Sequence, residues 1–255
     1  MGFLTTIDRS HGARSPRDGY SYSPGCLRGD ELGPIRLNSS ADDSWVDKPM
    51  ENEAQGRQLS ALAQLVRVIE PEGAEGLAWQ LIDEFGSIGQ VFAAAAWKIT
   101  QITGNEGLAA IFSASRTAVL EGMREDVARS PITLHDPRLM KYLIAQMQGD
   151  EEEHLHAIFL DSQQRYIRDE RVASGDWSNV TLRLRPLFRR TIELGAANLI
   201  LCHNHPSGDA KPSQADVGFT TEVSKVACSL GTKLLDHLIV AGTSVFSMRA
   251  AGLIS

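Results

Sequence analysis

The stretch Leu199–Asp216, "LILCHNHPSGDAKPSQAD", decides how the rest of the chain is read. An apolar run ends on two histidines, a turn rich in Pro and Gly follows, and Ser213 and Asp216 head a new periodic segment. In an extended chain residues i and i+2 share a face, so His203 and His205 can bring both imidazoles to one point. Pro206, Gly208 and Pro212 then force a turn, which leaves Asp216 in the first turn of the next helix. Two histidines and a carboxylate, with a fourth position for water, are the ligand count of a catalytic zinc site. Zinc bound in this way lowers the pKa of its water to roughly 7. A plainer reading uses the same residues: a polar strand end followed by a Ser-x-x-Asp capping box. Both readings need a strand, a turn and a helix, so the segment belongs to an α/β unit.

The flanking sequence extends that unit. "HLHAIFLDSQQRYIR" alternates at period two and reads as two strands joined by a tight turn near Asp161 and Ser162. "SNVTLRLRP" reads as a further strand with Val180, Leu182 and Leu184 on one face. Pro186 then opens a helix that Gly195 closes. "NLILC" is a short buried strand, the segment from Ser213 to about Leu230 is a helix, and "KLLDHLIV" and "SVFSM" are the last strands. These elements predict a mixed β-sheet flanked by helices. Upstream, apolar residues recur every three or four positions in "LSALAQLVRVI", "GLAWQLIDEFGSIGQVFAAA" and "NEGLAAIFSASRTAVLEGMREDVARS", the signature of amphipathic helices. "DPRLMKYLIAQMQ" adds one more helix, capped by Asp136 with Pro137 in its first turn. Before them, "RSHGARSPRDGYSYSPGCLRGDELGP" mixes Gly, Pro, Ser and charges without apolar periodicity, and reads as disordered. The expected organisation is a tail over 1–55, a helical module over 56–130 and an α/β domain over 131–255.

Composition narrows the function classes. The 255 residues are 42% hydrophobic and 22% charged, with a net charge of −7. Residues 1–132 hold 18 acids against 12 bases, and residues 133–255 hold 14 against 13. Neither half has the basic excess that drives non-specific nucleic-acid binding. DNA affinity would need a local patch, for which "RLRPLFRR" is the candidate, with Arg183, Arg185, Arg189 and Arg190; a solvated strand-to-helix face explains it more often than a phosphate site does. Cys26, Cys202 and Cys228 are odd in number and form no C-x-x-C pair, which argues against a disulfide framework. No apolar run reaches the roughly 18 residues of a membrane span, and the N-terminus lacks the core of a signal peptide. The expected compartment is the cytoplasm, without membrane association.

"HNHPSGDAKPSQAD" resembles the His-x-His-x7-Ser-x2-Asp signature of the JAB/MPN (JAMM) zinc metalloproteases. "AIFLDSQQR" before it and "LLDHLIV" after it are similar to the RadC-like branch of that superfamily. The resemblance covers about residue 133 to the C-terminus and implies a cytidine-deaminase-like α/β fold. It implies that His203, His205 and Asp216 bind Zn2+, and that Ser213 hydrogen-bonds the oxyanion formed when water attacks a carbonyl. It also implies an upstream glutamate that carries the water's proton to the leaving amine. Glu153, at the head of the first strand and eight residues before Asp161, is in the family's position; Glu151, on the same parity, is the fallback. The function so implied is hydrolysis of an amide bond in a peptide or protein substrate. The alternative is a DNA repair or recombination accessory with a non-catalytic zinc site.

Other residues are set aside. His154 and His156 form a second His-x-His, but they face away from Glu153 and read as exposed strand histidines. His237 suggests a structural hydrogen bond, and Cys202, facing opposite to His203, a small buried apolar residue. The helical half resembles the helix-hairpin-helix region of RadC-like proteins in order and length. Its hairpin departs from that pattern, with Gly104-Asn105-Glu106-Gly107 where Gly-x-Gly would admit a phosphate. Glu106 would repel that phosphate, so the module reads at least as well as a helical packing unit without DNA contact.

Overall fold

The computed structural model describes residues 53–133, 135–174 and 180–254, with the backbone alone described for residues 180–183. The expected tail lies outside these residues apart from its last positions, as does Cys26. Helix α1 (Glu53–Ile69) opens the described chain, followed by α2 (Ala74–Phe85), α3 (Ile88–Ala93), α4 (Ala96–Thr103) and α5 (Glu106–Ala128). Their apolar stripes meet in one core built on Leu62, Val66, Leu81, Ile99, Leu108 and Phe112. Burial of such side chains contributes roughly 1.5–3 kcal/mol each, which is what short helices need to persist.

Helix α6 (Pro137–Met147) begins as expected: Asp136 accepts a hydrogen bond from the Arg138 amide, and Pro137 occupies the first turn. Strands β1 (His154–Leu160) and β2 (Tyr166–Ser174) form a hairpin, in which the Asp161 carboxylate accepts bonds from the Gln163 and Arg165 amides. Helix α7 (Val180–Glu193), β3 (Asn198–Asn204), α8 (Gln214–Ser229), β4 (Lys233–Ala241) and β5 (Ser244–Ser247) complete the unit. The sheet runs β2-β1-β3-β4-β5; β3 and β4 are parallel and the other pairs antiparallel. The fold is therefore α/β with a mixed sheet flanked by helices.

Each face of the sheet has its own core. Leu155, Ala157 and Phe159 of β1 and Leu199 and Leu201 of β3 pack with Leu187 and Phe188 of α7 and Phe219 and Val223 of α8. The alternate residues Ile158, Leu160, Ile200 and Cys202 pack with Leu139, Tyr142 and Met147 of α6, and Val127 at the end of α5 joins them. Helix α5 thus takes part in two cores, the helical one and this sheet face.

One expected strand is a helix. The segment read as strand from Ser178 to Pro186 forms the first turns of α7 from Val180 onward, with Pro186 inside the helix instead of opening it. Val180, Leu182 and Leu184 satisfy a period of two only over a few residues. Leu184, Leu187, Phe188 and Thr191 continue at helical spacing, and Leu187 and Phe188 are buried against the sheet. A helix carries that longer stripe and a strand does not. One interior proline removes one amide donor, and seven further residues of helix follow it.

Candidate metal centre

Strand β3 delivers the histidines and α8 the carboxylate. Leu199, Leu201 and His203 alternate onto the face covered by α8, where His203 is fully buried. His205 follows the strand end and is held by a bond from its amide to the Val240 carbonyl, 2.8 Å. Asp216 lies in the first turn of α8 and is 3% exposed. The ligand atoms of His203, His205 and Asp216 all lie within 4.8 Å of one another, the group of this kind found among the described residues. The two Nε2 atoms are 2.9 Å apart, Asp216 Oδ1 is 3.3 Å from His203 Nε2, and Asp216 Oδ2 is 3.7 Å from His205 Nε2. Ligands at about 2.05 Å in tetrahedral array stand roughly 3.3 Å apart, which these separations bracket.

The hydrogen-bond partners decide which atoms face the centre. His205 Nδ1 lies 2.6 Å from the Asp209 carbonyl, which has no proton to give, so Nδ1–H is the donor. In the neutral ring Nε2 is then left with its lone pair. His203 Nδ1 lies 2.8 Å from His237 Nε2, which leaves His203 Nε2 turned to His205 and Asp216. Asp216 Oδ2 accepts the Ser213 amide at 2.7 Å and the Ser213 hydroxyl at 2.6 Å, while Ser213 Oγ accepts the Asp216 amide at 3.2 Å. The capping box and the metal-type carboxylate are therefore one device: Ser213 fixes the carboxylate by one oxygen and leaves Oδ1 to the centre. Two imidazole nitrogens and a carboxylate oxygen converging in a buried space form a donor set suited to a positive charge between them. The donor set fits a metal of the borderline kind that takes imidazole and carboxylate.

Glu153 precedes β1 and is half-buried. Leu155 pairs with His203 across β1 and β3; the same register carried two residues further sets Glu153 opposite His205. Asn204, between the two histidines, holds that extension. Its Oδ1 accepts the His154 amide at 2.7 Å and its Nδ2 donates to the Glu152 carbonyl at 2.9 Å, so one side chain fastens the backbone on both sides of Glu153. The Glu151 carboxylate is exposed and paired with Lys98 of α4, which keeps it below the usual carboxylate range. A cleft of about 910 Å3, lined by Trp97, Lys98, Arg116, Gly149 and Glu151 among others, reaches His205.

A family model described as a RadC-like JAB domain matches residues 134–253. A UPF0758 protein of Rhodobacter capsulatus is 35% identical over 191 residues, which are 74% of this chain and 89% of that one. The chain belongs to the RadC-like JAB family. Similar matches are UPF0758 proteins of Bordetella petrii, 35% identical over 69% of this chain and 78% of the relative, and of Ruegeria pomeroyi, 33% identical over 74% and 84%.

The residues set aside in the RadC-like domain fall as follows. His237 is fully buried and bonded to His203, a structural partner as expected. Cys202 is buried on the opposite face, 3.5 Å from Met147 Sδ, and burial pushes its thiol pKa up. His154 and His156 are not exposed: they are 4% and 6% accessible. β1 is an interior strand covered on both faces, so even its polar positions are enclosed. His154 meets the Arg171 guanidinium and lies 3.6 Å from Asp150, and burial followed by Arg171 lowers its pKa. A neighbouring guanidinium disfavours a metal cation there. Sequence reasoning passed over Asn204 and Thr220. A polar residue between two histidines was the available signal for Asn204; Thr220 becomes visible only once β4 brings His237 against α8.

Proposed function

We propose that this chain is a zinc-dependent hydrolase of amide bonds, acting on a peptide or protein substrate. The observation that carries the reading is the convergence of two imidazole Nε2 atoms and Asp216 Oδ1, each freed by a partner on its other side. Held by His203, His205 and Asp216, a zinc ion would supply Lewis-acid activation of water and of the scissile carbonyl. Glu153 would take the water's proton and give it to the leaving amine, a role supported by its register opposite His205 and by the Asn204 clamp on its backbone. Ser213 would turn its hydroxyl proton from Asp216 Oδ2 to the developing oxyanion, while its amide keeps hold of the carboxylate. The cleft reaching His205 offers a polypeptide an approach to this group.

Metal analysis and a peptidase screen test the reading together. The purified protein should carry about one zinc per chain, and His203→Ala or Asp216→Ala should lose most of it, while His154→Ala keeps it. Glu153→Gln should retain the metal and lose hydrolysis by roughly 100- to 10,000-fold. Full zinc in the His203→Ala protein would sink the metal assignment. Normal turnover in Glu153→Gln with none in Glu151→Gln would move the proton carrier two residues upstream.

A further inference from the structure

We infer that Thr220 and His237 are positioning residues that lock His203 into the tautomer whose Nε2 faces the metal. The inference rests on the reading of His203 as a ligand, and it follows from counting protons along a buried chain of hydrogen bonds. Thr220 Oγ1 lies 2.6 Å from the backbone carbonyl of Asp216. Two oxygens that close need a hydrogen between them, and the carbonyl has none, so the Thr220 hydroxyl donates. Met248 Sδ, 3.5 Å from the same hydroxyl, is a weaker acceptor and does not relieve the oxygen–oxygen contact.

With its proton committed, Thr220 Oγ1 can only accept from His237 Nδ1, 2.6 Å away. His237 is fully buried with a hydroxyl at Nδ1 and a second imidazole at Nε2, surroundings that hold a neutral ring and not an unpaired charge. A neutral ring that donates from Nδ1 has a lone pair at Nε2, and that atom lies 2.8 Å from His203 Nδ1. His203 must therefore donate from Nδ1, and its own lone pair is forced to Nε2, beside His205 and Asp216. The direction of the whole chain is set by a helix carbonyl that cannot reverse it. The carbonyl belongs to Asp216, so one ligand residue dictates the protonation of another through two side chains from α8 and β4.

The chain also tells what each substitution does. In Thr220→Val the His237 Nδ1–H loses its acceptor inside a dry core, and His237 does better as the other tautomer. That tautomer donates from Nε2 to His203 Nδ1, which moves the His203 proton to Nε2 and blocks the ligand atom. Thr220→Ser keeps the hydroxyl. His237→Gln keeps an acceptor oxygen near His203 Nδ1.

Two measurements test this without any substrate. Long-range 15N–1H spectra of the metal-free protein at pH 8 report the tautomer of His203 directly; Nδ1–H is expected in the wild type and in Thr220→Ser, and Nε2–H in Thr220→Val. Zinc titration against a competing chelator should show affinity lowered about 10- to 100-fold in Thr220→Val, the usual loss when a ligand's outer partner is removed. Thr220→Ser and His237→Gln should stay nearer to the wild type. An Nε2–H tautomer in the metal-free wild type overturns the inference with no variant needed, so misfolding of a substituted chain cannot shelter it. Unchanged affinity and tautomer in Thr220→Val overturn it too. If the wild type binds no zinc, the proposed function fails, while the tautomer spectra still decide the wiring of His203.

Discussion

His156 carries a pH dependence that belongs to one residue. It is 6% accessible, its Nδ1 has no hydrogen-bond partner among the described residues, and burial lowers its pKa to about 4. The unfolded chain takes up this proton as pH falls through about 6.5, while the native state resists until about 4. Native stability from this group is thus complete above 6.5 and falls as pH drops through that window. A difference of this size corresponds to about 3 kcal/mol at the acid end. Urea unfolding of metal-free protein at pH 7.5 and 4.5 should show wild type losing at least ~2 kcal/mol more than His156→Leu. Equal losses would mean that His156 is protonated in the native state. The sequence showed this histidine's face but not its burial, because accessibility depends on β2, β3 and α6 covering the strand.

At the scale of elements, Gly149 ties α6 to α3. Its φ is +83°, and a Cβ there would lie 2.6 Å from Ala93 Cβ and 2.9 Å from the Ala93 carbonyl oxygen. Arg116 of α5 reinforces the junction by donating to the carbonyls of Gln146 and Gln148 at 3.0 and 3.1 Å. Gly104 also has positive φ, +66°, but open space around it. Left-handed backbone costs an L-residue about 1–2 kcal/mol, and overpacking adds about 1–3. Gly104→Ala should therefore lose about 1–2 kcal/mol in thermal or urea unfolding, and Gly149→Ala about 3 or more. Equal losses would show that α3 yields freely at the contact. The strands were legible where alternation ran long, as in β1, and the helices where an amphipathic stripe ran for several turns. Helix α7 was not, because a two-residue alternation over Val180–Leu184 masked the wider stripe and Pro186 looked like a start. His203, His205 and Asp216 were legible because they fall within one strand, turn and helix; Thr220 and Asn204 act through pairings between elements, which local spacing does not show, and for His237 it showed a structural hydrogen bond but not the partner.

For the whole molecule the open contrast is between hydrolase and DNA accessory. The α4–α5 hairpin, where a phosphate would sit, is already satisfied by the protein itself: Asn105 Oδ1 accepts the amides of Gly107 and Leu108 at 2.9 and 3.3 Å. Glu106 adds a negative charge to the same turn. Of the arginines offered as a local patch, Arg190 is held by Glu170 and Glu193, and Arg189 lies 3.6 Å from Glu193; the side chain of Arg183 is outside the described residues. We therefore expect the full chain to bind duplex DNA no tighter than the roughly 0.1 mM end of non-specific affinities at physiological salt. Fluorescence anisotropy with labelled duplex and single strands over a salt series checks this. Sub-micromolar binding with a steep salt slope, abolished by substitutions in the α4–α5 turn, would put the accessory role first. Among the described residues no helix is long and apolar enough to cross a membrane.

The proposed ligands His203, His205 and Asp216 are neighbours in sequence, whereas Glu153 meets them only through the β1–β3 register and His237 only through β4. In folding terms the centre has a short-range half and a long-range half. Contacts close in sequence form early, and pairings between distant strands wait for loop closure. The β3–α8 segment can thus bring His203, His205 and Asp216 near one another early, while the bond from the His205 amide to the Val240 carbonyl waits for β4. Under the proposed roles, Glu153 and the His237–Thr220 pair join them only in the finished sheet, so the site would reach its full ion affinity and any activity only at that last stage.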